Sequence, residues 1–408
     1  MKLRLFILLF ILIGLTSCTL GETSTGPFTV EFETNGGTLC ETITVEKNAT
    51  FELPTTEKEG FVFQGWFLND KLTNKFNNDS GVTKNIKLYA KWGQGIEIST
   101  LEELLNVKND LNANYILAND IDCGGIAFHS IGTSETDAFS GVFDGQGYSI
   151  TNFIATDEMY LGIFGYNAGT IKNLNISNVS IKTVKSYKFE YVHAGLIAGY
   201  NTGTIETCSV NSCAINVSVT DSGSRNSNCL IRVGLITGTN YGQILNCIVT
   251  GSAETKNWEL SSKGYIRAGG ITGENNGNIE NCFVNASIVS SARYGSGMLY
   301  GESGEAGGIT GVNNTGAVIE NSVVLGSISA NYKCGDISAR NSGEISNCYI
   351  SSNVSKKNFT YLHGSVAEIE QLANSQFYSL SLNWDTEIWD YNNINFDEGK
   401  YPSLYQNR

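Results

Sequence analysis

Charge is scarce in this chain. Only 16% of its 408 residues are Asp, Glu, Lys or Arg, and the balance is acidic, with a formal net charge of −14. No dense Lys/Arg run stands out, which argues against a nucleic-acid partner. The same acidity gives little hold on anionic lipid, so membrane attachment has to come from elsewhere. Proline is rarer still, with 3 residues against 45 glycines. Turns therefore fall to Gly and to Asn, Ser and Thr, which also hydrate the surface and suit turns and strand faces better than helices. Hydrophobic residues make up 41%, enough for a core and too many for wholesale disorder. The length suggests two or three domains.

The usual catalytic and metal signatures are also missing. There is no Cys-x-x-Cys pair, and the three histidines are scattered, so neither a metal nor a cofactor is expected. No His-Glu-x-x-His, Gly-x-Ser-x-Gly or P-loop occurs. Asp120, Asp122 and Asp144 come nearest to the carboxylate cluster of a polysaccharide-cleaving solenoid, but all three sit in turn-like contexts. His363-Gly364 lacks paired acids and a basic partner. No catalytic residue is assigned.

What is present begins at the N-terminus. Lys2 and Arg4 precede an apolar run from Leu5 to Leu15, too short to span a bilayer comfortably but right for a secretory leader. The run ends in Leu15-Thr16-Ser17-Cys18, which resembles the lipobox of bacterial lipoproteins. That resemblance implies a signal peptide over residues 1–17, a lipid on the thiol of Cys18, and anchoring by two or three acyl chains, sufficient for stable attachment. Residues 18–27 then read as a tether.

Residues 28–92 form a first unit. Phe28 to Glu33 alternates as a strand should, and Asn35-Gly36-Gly37 supplies a turn able to take positive φ. Ile43–Val45, Phe51–Leu53, Gly60–Phe67 and Ile86–Trp92 read as further strands. The Asn-Gly-Gly turn, Gly60-Phe-Val-Phe-Gln-Gly65-Trp66 and Leu88-Tyr-Ala-Lys-Trp92 resemble the Listeria–Bacteroides repeat. The resemblance implies a small β-grasp-like module, which we expect to serve as a stalk; Trp66 and Trp92 are expected in its core, a ligand platform being the alternative. In residues 93–160, Thr100-Leu-Glu-Glu103 fits a capping box, and Gly-punctuated strands follow from Tyr115 to Ile150. A helix and such strands would cap a solenoid's open edge.

Residues 161–355 carry six repeats. With Ile163, Ile197, Ile236, Ile271, Ile309 and Ile337 as origin, Asn follows four residues later in each: Asn167, Asn201, Asn240, Asn275, Asn313 and Asn341. A second Ile follows at eight (Ile171, Ile205, Ile244, Ile279, Ile345), arriving two residues late as Ile319. Three further on stand Leu174, Cys208, Cys247, Cys282, Ser322 and Cys348, then Ile176, Val210, Val249, Val284, Val324 and Ile350. Steps of two place residues on one strand face, and the three-residue step needs a corner. Strand, turn, strand and corner in register describe coils stacked about 4.8 Å apart, each burying its neighbour's apolar side chains. The unequal repeat lengths belong in surface loops.

The pattern Gly-Leu-Ile-x-Gly-x-Asn-x-Gly-x-Ile-x-Asn-Cys resembles the GLUG motif of bacterial surface and adhesin-like proteins. It implies a right-handed parallel β-helix-like solenoid, all-β with short capping helices, and no catalytic activity. Leu174, Ser322, Asp336 and Ala339 depart mildly from it. Stacked at one position, Cys208, Cys247, Cys282 and Cys348 read as small buried hydrophobes, since layer spacing and parallel vectors disfavour disulfides. A Cys213–Cys229 bond is the one alternative. The asparagines at plus four and those two after the second Ile (Asn173, Asn246, Asn281, Asn321, Asn347) should form amide ladders, glycan contact being their alternative role. Residues 356–408 open with a capping-box pattern, Ser365-Val-Ala-Glu368, and run into an aromatic-rich end expected to seal the last coil. The reading that results is a lipid-anchored, surface-displayed, non-catalytic module binding a glycan or a host surface protein. A polysaccharide-processing enzyme and a spacer without ligand are the alternatives.

Overall fold

The computed structural model describes residues 26–405, except 59–60, 79–80, 157–158, 187–190, 221–229, 261–264, 295–303 and 357–358. The chain forms two compact units, the second beginning at Gly93 apart from a short stretch of the first unit's third strand. Cys18, Cys229 and the leader lie outside the described residues.

The first unit is a four-stranded sheet of Phe28–Glu33, Ile43–Val45, Phe61–Phe67 and Ile86–Gln94, in the spatial order second, first, fourth, third. The first strand pairs antiparallel with the second and parallel with the fourth, as in a β-grasp-like sheet. Asn35 and Gly36 do take positive φ, at 50° and 90°. Phe51–Leu53 is not a strand; its apolar side chains pack on the core without a ladder partner. Trp66 is buried and its Nε1 donates to the Pro54 carbonyl at 2.8 Å, while Trp92 Nε1 donates to Thr34 at 2.8 Å. Both indoles thus pack with their one polar atom satisfied.

The second unit is an all-β solenoid. One coil shows its plan: Leu230–Gly234, Thr237–Asn240, Gln243–Leu245 and Ile248–Leu260 each pair parallel with the corresponding strand of the next coil. Repetition builds four stacked sheets, taken here in coil order as first to fourth, with seven, six, nine and eleven described strands. The origin isoleucines form one column: Ile197 N–H donates to the Ile236 carbonyl, Ile236 to Ile271, Ile271 to Ile309 and Ile309 to Ile337. All six are fully buried. Ile319 pairs in register with Ile279 and Ile345. Its two extra residues are absorbed in a turn where Ala317 N–H bonds Asn314 and Gly316 takes φ +84°.

The two ends of the solenoid differ. At the start, the helix Leu101–Asn106 opens with the full Thr100/Glu103 capping box, and Leu104 and Val107 are buried in the solenoid core. At the other end, Ser365 is no helix cap. It begins a strand, Ser365–Ala367, paired parallel with Tyr349–Ser351, and the short helix Ile369–Leu372 has Glu368 at its N-cap without a side-chain bond. The aromatic segment beyond reaches past the last coil, which it meets at Tyr349 and Asn347. It folds back along the outer face of the fourth sheet, where Leu372, Phe377, Tyr378, Leu382, Trp384, Trp389 and Tyr391 bury Ile248, Phe283, Val323 and Leu325. Those four alternate with core residues such as Val249, Val284 and Val324, so their sheet is apolar on both faces and needs a cover.

Candidate functional site

Inward positions build two columns of polar structure. Each plus-four asparagine donates Nδ2–H to the Oδ1 of the next, Asn167 through Asn341, at 2.7, 2.8, 2.9, 2.9 and 2.9 Å. The same amides reach the carbonyl two residues on, as Asn240 does to Gly242 at 3.2 Å. Asn167 to Asn313 are 0% exposed, which closes them to a glycan. The asparagines two after the second Ile do something else. Asn173, Asn246, Asn281, Asn321 and Asn347 all sit at φ 48–53°, the left-handed corner that Asn tolerates better than branched residues. Only the Asn347 to Asn321 bond, 2.7 Å, is seen as a rung among them.

The described cysteines of the solenoid, Cys123, Cys208, Cys213, Cys247, Cys282, Cys334 and Cys348, form no disulfide. Cys208, Cys247 and Cys348 each donate S–H to the carbonyl two residues back at 3.2 Å, Cys282 does so at 3.3 Å, and Ser322 replaces them with a 2.8 Å bond. Burial pushes the thiols of Cys208 and Cys282 up, and that of Cys348 to about 12, so they stay protonated and unreactive. The aspartates are likewise occupied by local structure. Asp120 accepts from Ser149 N–H, Asp122 from Gly124 N–H and Asn152, and Asp144 from Gln146 N–H and Asn173. Buried Asp336 accepts from the N–H groups of Ile337, His363 and Gly364, which gives that departure from the repeat a structural use. Among the described residues no group of three or more His, Cys, Asp or Glu could hold a metal, and no helix is long and apolar enough to cross a membrane.

The outward positions contain what sequence reasoning missed. Where the first sheet turns into the second, glycines let the strands close up. A Cβ on Gly234 would lie 2.4 Å from the Cα of Thr272, and one on Gly238 2.4 Å from the Ala194 nitrogen. Outward side chains of the two sheets therefore converge, and the turn is re-entrant. From the first sheet come Tyr160, His193, Arg232, Arg267 and Glu305 in register. From the second come Tyr166, Tyr200, Thr239, Glu274, Val312 and Arg340. Across the seam, His193 Nδ1 meets Thr239 Oγ1 at 2.7 Å. Arg232 and Arg267 both bond Glu274, while Arg267 (3.1 Å) and Arg340 both bond Glu305.

The seam is polar-paired in its later coils and aromatic in its earlier ones. Tyr166 stacks on Tyr200 with centroids 4.8 Å apart, and Tyr200 on Tyr241 at 5.5 Å. Tyr160 stacks on His193 at 5.2 Å, and Tyr191 lies parallel to His193 at 6.4 Å. Tyr191 and Tyr241 form the rim, 40% and 52% exposed. His193 is 5% exposed; burial, then the Arg232 charge, lowers its pKa to about 3, so the ring is neutral at ordinary pH. Burial raises the Glu274 carboxyl, but Arg232 and Arg267 outweigh it and hold the group ionised. The sequence signal for this seam was the residue four before the second to fifth of the six origin Ile (His193, Arg232, Arg267, Glu305), a polar position inside an apolar strand.

Comparison with known proteins bears on both units. Residues 28–91 match the model of the Listeria-Bacteroides repeat domain. A protein of Evansella cellulosilytica named "Putative membrane protein" is 42% identical over 67 residues, 16% of this chain and 10% of that protein. Another from the same organism, "Putative Gly-rich membrane protein", is 37% identical over 67 residues, covering 16% and 8%. Halomucin of Haloquadratum walsbyi is 28% identical over 273 residues, 60% of this chain and 3% of halomucin. The chain thus spans a tenth or less of the length of these relatives, and what the match identifies plainly is the first unit, a Listeria-Bacteroides repeat domain.

Proposed function

We propose that this chain is a surface-anchored bacterial lipoprotein, tethered by lipid on Cys18, whose GLUG-type solenoid is a non-catalytic binding module. The observation that carries the reading is the re-entrant seam, where partly exposed tyrosines adjoin paired charges. A purely structural corner would be served by small aliphatic residues, and exposed rings set among a few placed polar groups are the composition of ligand sites. The non-catalytic reading is supported by the state of the carboxylates. Glu274 sits between Arg232 and Arg267, which hold it ionised and unfit as a general acid, and Glu305 is paired with Arg267 and Arg340. The membrane-protein names of two relatives and the similarity to halomucin support a place at the cell surface.

The test has two parts. Cys18→Ala should abolish lipid labelling and release the protein from membranes; unchanged retention refutes the anchor. The intact protein should give specific signals on an array of glycans and matrix proteins, and a blank array would leave only a spacer.

A further inference from the structure

We infer that the aromatic end of the seam binds a neutral glycan chain, Tyr191 and Tyr241 each offering a ring to a pyranose unit and His193 a hydrogen-bonding group between them; this rests on the solenoid being a binding module. Three observations converge. First, the two rim tyrosines are joined through the seam floor by ring contacts. Tyr191 lies 6.4 Å from His193, His193 5.2 Å from Tyr200, and Tyr200 5.5 Å from Tyr241. The apolar C–H face of a pyranose packs well on such rings, while its hydroxyls require polar groups placed between them.

Second, such a group is present. His193 is 5% exposed, and its only hydrogen bond is from Nδ1 to Thr239. Nε2 has no partner among the described residues, yet it is not sealed off as a buried unsatisfied atom. A nearly buried imidazole whose second nitrogen keeps some solvent access and has no protein partner is a hydrogen-bonding group still to be used, since leaving it dry and unpaired would cost stability. With the ring neutral, Nε2 offers a dipole rather than a charge, which suits a hydroxyl.

Third, charge selects among ligands. The net charge of −14 repels polyanions. Among the described residues the cation stacked on Tyr191, Arg232, is already paired with Glu274 and lies 5.9 Å over the ring. That occupies the place an ammonium ligand would take in an aromatic cage. A neutral glycan meets neither obstacle.

The experiment is calorimetric titration of the full-length protein in detergent with cellohexaose, xylohexaose, mannohexaose and chitohexaose. Heparin, hyaluronan and immobilised matrix proteins are run beside them. Expected is binding of at least one neutral hexaose, weakened tenfold or more by Tyr191→Ala and by Tyr241→Ala, with unchanged circular dichroism because both rings are at the rim. His193→Phe, which keeps a flat ring but removes Nε2, should weaken it by a similar factor, and affinity should be flat from pH 5 to 8. Neutral binding indifferent to all three variants overturns the site. Binding of heparin, hyaluronan or matrix protein alone overturns the sugar assignment while the binding module stands. Silence with every probe overturns both.

Discussion

At the scale of the residue, this fold is decided by side chains that complete their bonds only when coils stack. Asn240 takes a bond from Asn201 and gives one to Asn275, all three fully buried. Asn240→Ala would orphan an amide on each side, and each buried unsatisfied group costs about 1–3 kcal/mol. Chemical denaturation should therefore show a loss of about 2–6 kcal/mol. Asn341→Ala, at the half-buried last rung with one neighbour, should cost distinctly less. Equal losses would mean that the ladder is not the source.

His193 adds a pH dependence of known sign. Its pKa of about 3 lies below the ordinary histidine value of 6.5. As pH falls below about 6.5 the unfolded chain takes up a proton that the folded one refuses, so stability is lost on acidification, by about 1.4 kcal/mol per unit until near pH 3. Unfolding of wild type and His193→Gln at pH 7 and pH 5 should differ by about 2 kcal/mol in their pH response. Parallel responses would show that His193 protonates freely.

At the scale of the element, the C-terminal segment is the main lesson. Its aromatic content was visible as a cap, but its position was not. Trp384 donates to Asn321 at 2.8 Å and stacks on Trp389 at 4.1 Å, while Trp389 reaches Asn246 at 3.4 Å. The segment is thus fastened across several coils, at corner asparagines whose other work is to hold a left-handed turn. Trp389→Ala should cost about 3–5 kcal/mol, as removal of a fully buried large aromatic does. Partial unfolding should then expose Ile248, Phe283 and Val323 to a hydrophobic dye while far-ultraviolet dichroism persists. Loss of the whole strand signal in one step would mean that the clasp and the coils are a single cooperative unit. The Ser365 pattern misled for a related reason: a strand edge on Tyr349–Ser351 was open, and pairing with it outweighed the local capping preference.

At the scale of the whole molecule, the solenoid was legible because it is repetitive. Six copies of Ile, Asn and Cys at matching offsets determine an inward code, and only stacking in register buries it, so the column of isoleucines follows from the sequence alone. The Thr100 capping box, the Asn35-Gly36 turn and the first unit's strands other than Phe51–Leu53 were legible too, being local. What the tertiary structure decided lies on the outside. A residue's outward neighbour comes from another sheet through an arc whose closeness depends on missing Cβ atoms, so the repeated offsets of His193 and Tyr200 from the origin Ile do not reveal that the two rings meet, or that Tyr191 and Tyr241 lie beside them. Linear order records which side chains face the core, because water penalises the alternative in every coil. It does not record which exposed surfaces meet, because that depends on how sharply the backbone turns.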